Sequence, residues 1–174
     1  MSYMKISVLR LKLLTGFLVA GLGVSNVAAA KEQRPHPALS VSFGPCFGFC
    51  PVYDVKIEAD GTVLFHGERH TAVLGDRRVR KTPATYRRVL RSLASFRPAN
   101  GTKANTQCLN QATDHAQVKI IWKNANGRET VLEHDRGCLS PTNTRLNAAV
   151  DQLPELLGVA EYAKQTQRPG VSRG

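Results

Sequence analysis

The sequence lacks the short motifs that identify particular enzyme classes. It contains no glycine-rich phosphate-binding loop, no Gly-X-Ser-X-Gly nucleophile motif and no internal repeat. These absences argue against a P-loop nucleotide-binding protein, an α/β-hydrolase and a repeat protein. No cysteine lies near the end of the N-terminal apolar segment, which excludes lipid attachment at a new N-terminal cysteine. The information in the sequence therefore lies in its N-terminal segment, its cysteines and its charges.

The first 30 residues have the pattern of a secretory signal peptide. An apolar run extends from Leu13 to Val24, and the segment Ala28 to Ala30 provides small residues for cleavage. The run is shorter than the roughly 20 residues of a membrane-spanning helix, which disfavours an uncleaved anchor. We therefore expect cleavage near Ala30 and a periplasmic or secreted protein without a transmembrane segment. The basic residues before the run are Lys5, Arg10 and Lys12.

Cleavage would leave a basic chain of one domain's length. The sequence has 24 basic and 13 acidic residues, and residues 1–30 contain three of the basic ones, so the mature chain has 21 against 13 and a net charge of +8. A basic exported protein meets anionic partners such as lipid headgroups, acidic polysaccharide or nucleic acid. We interpret residues 31–38 as a flexible leader, residues 39–160 as a single disulfide-stabilised domain and residues 161–174 as a disordered tail.

All four cysteines follow the signal peptide. An even number of cysteines in an exported chain predicts two disulfides, which can be paired in three ways. We favour Cys46–Cys50 with Cys108–Cys138, because the short segment can close around Gly48, which has no Cβ. A crossed pairing such as Cys50 with Cys138 would constrain the unfolded chain more, so loop entropy leaves this alternative open.

Two functional alternatives exist for these thiols. Redox-active pairs usually have two intervening residues at a helix N-terminus, whereas Cys46 and Cys50 are separated by three residues and lead into a strand pattern. Zinc could use pairs of residues that lie four apart, namely His66 with His70 and His134 with Cys138. The first histidine pair flanks a turn, and exported cysteines oxidise readily. We expect neither a metal nor another cofactor.

Alternating apolar residues predict an antiparallel sheet. Strand patterns separated by turn residues occur at 39–43, 52–58, 63–65, 70–79, 117–122 and 129–134. The dipeptide Asp60-Gly61 is a strong hairpin signal. Helical spacing of apolar residues predicts one helix capped by Thr82 and a second capped by Ser140, with a kink or an end at Pro154. The expected fold is α+β, with a mainly antiparallel sheet of about six strands and two helices packed on one face.

Four features occur in a fixed order along this pattern. They are the segment GPCFGFCPVY at residues 44–53, the hairpin DGTV at residues 60–63, Thr113-Asp114, and Gly137-Cys138 before the last helix. With these features, the chain from Leu39 to Leu157 resembles the domain-of-unknown-function family numbered 6438, which consists of small exported bacterial domains. The resemblance implies a compact, cysteine-bearing α+β domain. It implies no activity, ligand or cofactor.

The main charge feature is a run of basic residues without acids. Residues 77–97 contain eight basic residues and no acidic residue. Arginine makes bidentate contacts with phosphate and carboxylate, so the run could bind an anionic surface, although such runs are more often a solvated face. The candidate anion-binding residues are Arg77, Arg78, Arg80, Lys81, Arg87, Arg88 and Arg91.

No catalytic residue can be assigned from the sequence. His134 precedes Asp135, but neighbouring strand residues point to opposite faces, and we expect this histidine to be exposed near a turn. Sequence-specific nucleic-acid recognition is not expected either, because Tyr86, the aromatic residue nearest the arginines, fits the core.

These observations favour a non-enzymatic binding or envelope-associated module. Its partner would be an anionic envelope component, either lipid headgroups or polysaccharide, or another envelope protein. The alternatives are a thiol oxidoreductase using Cys46 and Cys50, a hydrolase using His134, and a structural domain that binds a partner protein.

Overall fold

The computed structural model describes residues 37–166. The predicted signal peptide, nearly all of the predicted leader and residues 167–174 of the predicted tail lie outside this range. The strands are β1 (Ala38–Phe43), β2 (Val52–Glu58), β3 (Thr62–Arg69), β4 (Gly75–Arg80), β5 (Lys103–Asn105), β6 (Gln117–Lys123) and β7 (Glu129–Asp135). The helices are α1 (Pro83–Ser92), α2 (Pro141–Asp151), α3 (Leu153–Leu157) and α4 (Ala160–Ala163), with a 3₁₀ turn at Ala94–Phe96. No helix in this part of the chain is long and apolar enough to cross a membrane.

The strands form one sheet in the order β4-β3-β2-β1-β6-β7-β5. All neighbouring pairs are antiparallel except β5 and β7, which are parallel. This arrangement confirms the predicted α+β class and the mainly antiparallel sheet, with seven strands instead of about six. The additional strand is β5, whose sequence Lys-Ala-Asn has no apolar alternation. It forms because the edge of β7 offers unpaired backbone groups, which a sequence pattern does not reveal.

The helices pack on one face of this sheet and form the core with it. Leu39 and Val41 on β1 and Ile120 on β6 are at most 1% exposed, in agreement with their alternation in the sequence. The helices and the C-cap residue of α1, Leu93, contribute the fully buried side chains Val89, Leu93, Leu146, Val150, Leu153 and Leu157. The other face of the sheet stays partly exposed, as the alternation of polar residues predicts.

The helix ends follow the predicted signals only in part. Ser140 caps α2, and its hydroxyl accepts a hydrogen bond from the backbone N–H of Asn143 at 3.3 Å. Thr82 occupies the N-cap position of α1, but its side chain makes no capping hydrogen bond. The predicted second helix is divided into α2 and α3, because Pro154 lacks the N–H that an uninterrupted helix would need and lies in the first turn of α3 instead.

The described domain continues past residue 160, where we expected a disordered tail to begin. Tyr162 in α4 packs its ring 5.7 Å from the ring of Phe65, and Ala163 is buried. Beyond α4, Gln165 pairs with Thr71 in an isolated bridge. Residues 161–166 therefore contact the domain through the aromatic ring of Tyr162, the buried side chain of Ala163 and the bridge of Gln165.

The connections lie at two ends of the sheet, which we call the cysteine end and the hairpin end. The cysteine end consists of residues 44–51, 70–74, 106–116 and 136–140, and it contains all four cysteines. The hairpin end consists of the β2–β3 turn, the β6–β7 turn and the start of α1. There, the backbone N–H of Lys81 donates to Gly61 O at 2.9 Å, which fixes the entry to α1.

Candidate functional site

The cysteines form two disulfides, Cys46–Cys50 and Cys108–Cys138, with Cα atoms 5.7 and 5.3 Å apart. This is the pairing that the sequence analysis favoured. The first disulfide closes the connection between β1 and β2, where no helix begins. Because reactive thiolates are usually stabilised by a helix N-terminus, this connection offers little support for thiol chemistry. The second disulfide joins the segment after β5 to the segment after β7.

The histidines considered as zinc ligands lie in different surroundings. His66 Nδ1 lies 2.6 Å from a carboxylate oxygen of Asp76. The ring of His70 instead packs edge-on against Phe49, with centroids 5.2 Å apart. Within residues 37–166, no three His, Cys, Asp or Glu side chains come together as a set of metal ligands.

On edge strand β4, the predicted anion-binding residues are divided between the two faces of the sheet. Arg78 and Arg80 lie on the partly exposed face, and Arg77 lies on the helix-covered face but is itself exposed. The guanidinium of Arg80 donates to the Asp60 carboxylate at 3.2 Å and to the Thr62 hydroxyl at 2.9 Å. Hydrogen bonds from Thr62 also lower the pKa of Asp60. The charge of Arg80 is therefore compensated within the domain.

On helix α1, Arg87, Arg88 and Arg91 are exposed, whereas Val89 among them is fully buried. Their guanidiniums form no ion pair with any of the described residues. The side chains of Arg77, Arg78 and Lys81 also form no ion pair with the described residues. We call these six residues the basic surface: Arg77, Arg78, Lys81, Arg87, Arg88 and Arg91.

A cavity of about 600 Å³ opens on the partly exposed face of the sheet, next to the basic surface. Arg77, Arg78 and Lys56 line it together with His66 and Asp76. The hydrogen bond to Asp76 is the main reason that the pKa of His66 is raised. The cavity wall thus combines basic residues of β2 and β4 with the acidic residues Asp54 and Asp76, and Lys56 is itself paired with Glu58 at 2.7 Å.

A buried histidine lies between two polar side chains at the cysteine end. His134 is 1% exposed, so the expectation that it is solvent-exposed was wrong. Its Nδ1 lies 3.0 Å from the hydroxyl of Thr106, and its Nε2 lies 2.9 Å from Oδ1 of Asn147. Burial lowers the pKa of His134, which favours the neutral ring at pH 7. Asp135, next in sequence, instead accepts hydrogen bonds from other groups at the cysteine end.

Sequence reasoning missed Thr106 and Asn147 as partners of this histidine. Thr106 lies in a polar segment just after β5, and Asn147 follows the buried Leu146 on α2. Neither residue belongs to a recognisable motif, and the three side chains are far apart in the chain. The one available signal was the alternation on β7, which places His134 on the same face as the buried Leu132.

Among known proteins, the chain matches one protein family. Residues 37–155 match the model of a family described as a domain of unknown function, DUF6438. No curated protein and no solved structure matches the chain. The match covers more than half of the sequence and contains all seven strands, both disulfides, α1 and α2. The chain therefore belongs to the DUF6438 family.

Proposed function

We propose that this protein is an exported module that binds anionic groups of the cell envelope through its basic surface. The observation that carries the proposal is the absence of ion pairs at these six basic residues among the described part of the chain. Export is supported by the signal-peptide pattern of residues 1–30 and by two disulfides, which persist in oxidising compartments.

The chemistry that the basic surface recognises is a phosphate or carboxylate group. Guanidinium groups offer paired N–H donors that match these anions. Arg78 also lines the 600 Å³ cavity, but Asp54 and Asp76 share its wall, so the exposed arginines of α1 are the better match for an anionic group. Binding of this kind requires no reacting group, and it would weaken with added salt because the arginines on α1 are solvent-exposed.

The basic residues of β4 also have a structural explanation. β4 is an edge strand, and charged side chains on an edge prevent pairing with another sheet. This explanation applies to Arg77 and Arg78, but it does not extend to Arg87, Arg88 and Arg91, which lie on α1. The arginines of the helix therefore provide the sharper test of binding.

The test uses the mature chain with anionic phospholipid vesicles and, separately, with a soluble acidic polysaccharide. At about 1 kcal/mol for each basic residue near an anionic surface, Arg87→Ala/Arg88→Ala/Arg91→Ala should weaken binding roughly 100-fold. The control variant removes the same charge elsewhere, by Lys119→Ala/Lys123→Ala/Arg128→Ala on β6 and the β6–β7 turn. An equal loss in both variants, or no binding at low salt, would reject the basic surface as the binding site.

The two ligands distinguish the two sources of the anion. Binding to vesicles alone would indicate lipid headgroups, and binding to the polymer alone would indicate an acidic polysaccharide. Vesicles made only of zwitterionic lipid should not bind, because the proposed attraction depends on net negative charge.

A second candidate function is binding of another envelope protein at the cysteine end. The large apolar side chains that are exposed among the described residues all lie there: Phe47, Leu74, Leu109 and Leu139. Phe47 is 86% exposed on a disulfide-closed connection, which restrains the backbone that presents its ring to a partner. A photo-crosslinking residue at position 47 should form an adduct with one discrete protein in intact cells. The same residue at position 128, at the hairpin end, serves as the control.

A further inference from the structure

We propose that Thr106 is a nucleophile activated by His134, and that it accepts the acyl group of a small uncharged ester. This activity would be additional to binding at the basic surface, which lies on other elements. The proposal rests on three side-chain groups that are joined by hydrogen bonds: a hydroxyl, an imidazole and a carboxamide. Catalytic sets of this kind are recognised by their geometry and not by the order of the residues in the chain.

The three side chains come from separate elements. Thr106 lies directly after β5, His134 lies on β7 and Asn147 lies on α2. The hydroxyl of Thr106 is 3.0 Å from Nδ1 of the imidazole, and Nε2 is 2.9 Å from the carboxamide oxygen of Asn147. Both distances are within the range of direct hydrogen bonds, so a proton can pass from the hydroxyl to the ring.

The hydrogen bonds of Asn147 determine which ring nitrogen carries the proton. Its Nδ2 donates to the backbone carbonyl of Arg136 at 3.0 Å, so its Oδ1 faces the imidazole and must accept from Nε2–H. The neutral ring then has its lone pair on Nδ1, directed at the hydroxyl of Thr106. This is the tautomer that a general base for Thr106 requires. Asn147 acts here as a positioning residue.

The segment that carries the hydroxyl is held in place on both sides. The backbone N–H of Thr106 donates to Glu133 O at 3.0 Å, which extends the β5–β7 pairing by one residue. The carboxamide of Asn143 donates to Gln107 O at 2.8 Å, and the disulfide Cys108–Cys138 follows immediately. The hydroxyl therefore stays in register with the ring without an energetic cost at the moment of reaction.

Access to Thr106 is from two cavities that share this residue in their walls. One, of about 210 Å³, has His134 and both cysteines of the second disulfide in its wall. The other, of about 390 Å³, is lined by uncharged residues including Phe96, Leu132 and Leu146, and it suits a short apolar acyl chain. The uncharged wall of this larger cavity is the reason for assigning an uncharged ester as the substrate class.

A donor for the developing negative charge is present beside the hydroxyl. The backbone N–H of Gln107 donates to no backbone carbonyl of the described residues, and because Gln107 is exposed this N–H is open to a bound ligand. A backbone N–H next to the nucleophile is the usual partner of the oxyanion in acyl transfer. It would contact the carbonyl oxygen when Thr106 attacks the carbon.

The step is a simple exchange of ester bonds. Thr106 Oγ1 forms a bond to the carbonyl carbon while its proton moves to Nδ1 of His134. The bond from that carbon to the alkoxide oxygen then breaks, and Nδ1 returns the proton to the alkoxide, which leaves as the alcohol. Water removes the acyl group by the same route in reverse. Because the orienting group is a neutral carboxamide and the ring is buried, we expect acylation to be easier to detect than turnover.

The test is intact-mass analysis of the mature protein after incubation with p-nitrophenyl acetate, followed by peptide mapping. We expect one acetyl group at Thr106. Thr106→Val, which keeps the shape of the side chain, should lower the acylation rate about 100-fold, and Thr106→Ser should retain it. Thr102→Val, in the segment before β5, is the matched control and should leave the rate unchanged. An adduct found only on lysine or on the N-terminus would overturn the proposal.

The pH dependence separates activation by His134 from a purely structural role. The wild-type rate should rise with pH through the depressed pKa of His134 and then become constant, whereas His134→Gln should show a low rate without this step. If His134→Gln fails to fold, the comparison of Thr106→Val with Thr106→Ser still decides the case. Equal acylation in those two variants would refute the assignment of Thr106.

Discussion

Removal of the Cys108–Cys138 disulfide should destabilise the domain much more than removal of Cys46–Cys50. The first closes a loop with a sequence separation of 30, and the second closes one with a separation of 4. The chain-entropy relation gives about 3.7 kcal/mol for the long loop and about 2 kcal/mol for the short loop. Cys138 is also buried, so its replacement loses packing that a more exposed cysteine would not lose.

The comparison uses the double variants Cys108→Ala/Cys138→Ala and Cys46→Ala/Cys50→Ala, which leave no unpaired thiol. Equilibrium unfolding in urea can be followed by the fluorescence of Trp122, which is 3% exposed and lies toward the hairpin end, away from both disulfides. We expect a difference of about 1.7 kcal/mol in unfolding free energy between the two variants. The urea m-value should rise more in the first variant, because its unfolded chain becomes more extended.

One result would refute this reasoning. If Cys46→Ala/Cys50→Ala lowers the unfolding free energy as much as Cys108→Ala/Cys138→Ala, loop length does not govern the contribution of these disulfides. The short disulfide would then act on the folded state, through the placement of the strand that follows it. Because small domains are stable by about 5–15 kcal/mol, both variants should remain folded enough for the measurement.

Two further changes test the buried histidine and a close backbone contact. His134 has a depressed pKa, so the unfolded chain binds its proton first, and stability should fall as the pH drops below about 6.5, by at most about 1.4 kcal/mol per pH unit. His134→Gln should remove this slope of unfolding free energy against pH. His66→Gln should instead remove a slope of opposite sign, since the raised pKa of His66 adds stability at low pH. If the wild type and both variants show the same dependence of unfolding free energy on pH, these two pKa shifts do not contribute to stability. Gly67→Ala should cost about 1–3 kcal/mol in a urea titration, because its Cβ would overlap the carbonyl oxygen of Val73, while Gly44→Ala, whose Cβ would lie 3.2 Å from the carbonyl oxygen of Gln117, should cost less.

The candidate sites differ in how far the sequence could predict them. The basic surface was predictable, because charge and helical spacing together place Arg87, Arg88 and Arg91 on the outer side of an amphipathic helix. The neutralisation of Arg80 by Asp60 was not predictable, since Asp60 lies 20 residues earlier in the chain, in the β2–β3 turn. The hydrogen bond between His134 and Thr106 could not be predicted from the sequence either, because the position of Thr106 depends on β5, a three-residue strand that forms only against the edge of β7.

The sequence by itself determined the class of the fold and most of its elements. Period-two alternation, the Asp60-Gly61 turn and two apolar stripes at helical spacing are local patterns, and local patterns are encoded by neighbouring residues. The motif around Cys46 and Cys50, with the other features in order, also indicated the family. Each of these signals can be read without knowing which segments meet.

Only the tertiary structure decided which distant residues meet. The central position of β1 between β2 and β6, the parallel addition of β5, and the meeting of Thr106, His134 and Asn147 all join segments that are separated along the chain. No local propensity specifies such pairings, because they depend on the shared burial of side chains and on backbone groups left unpaired at a sheet edge.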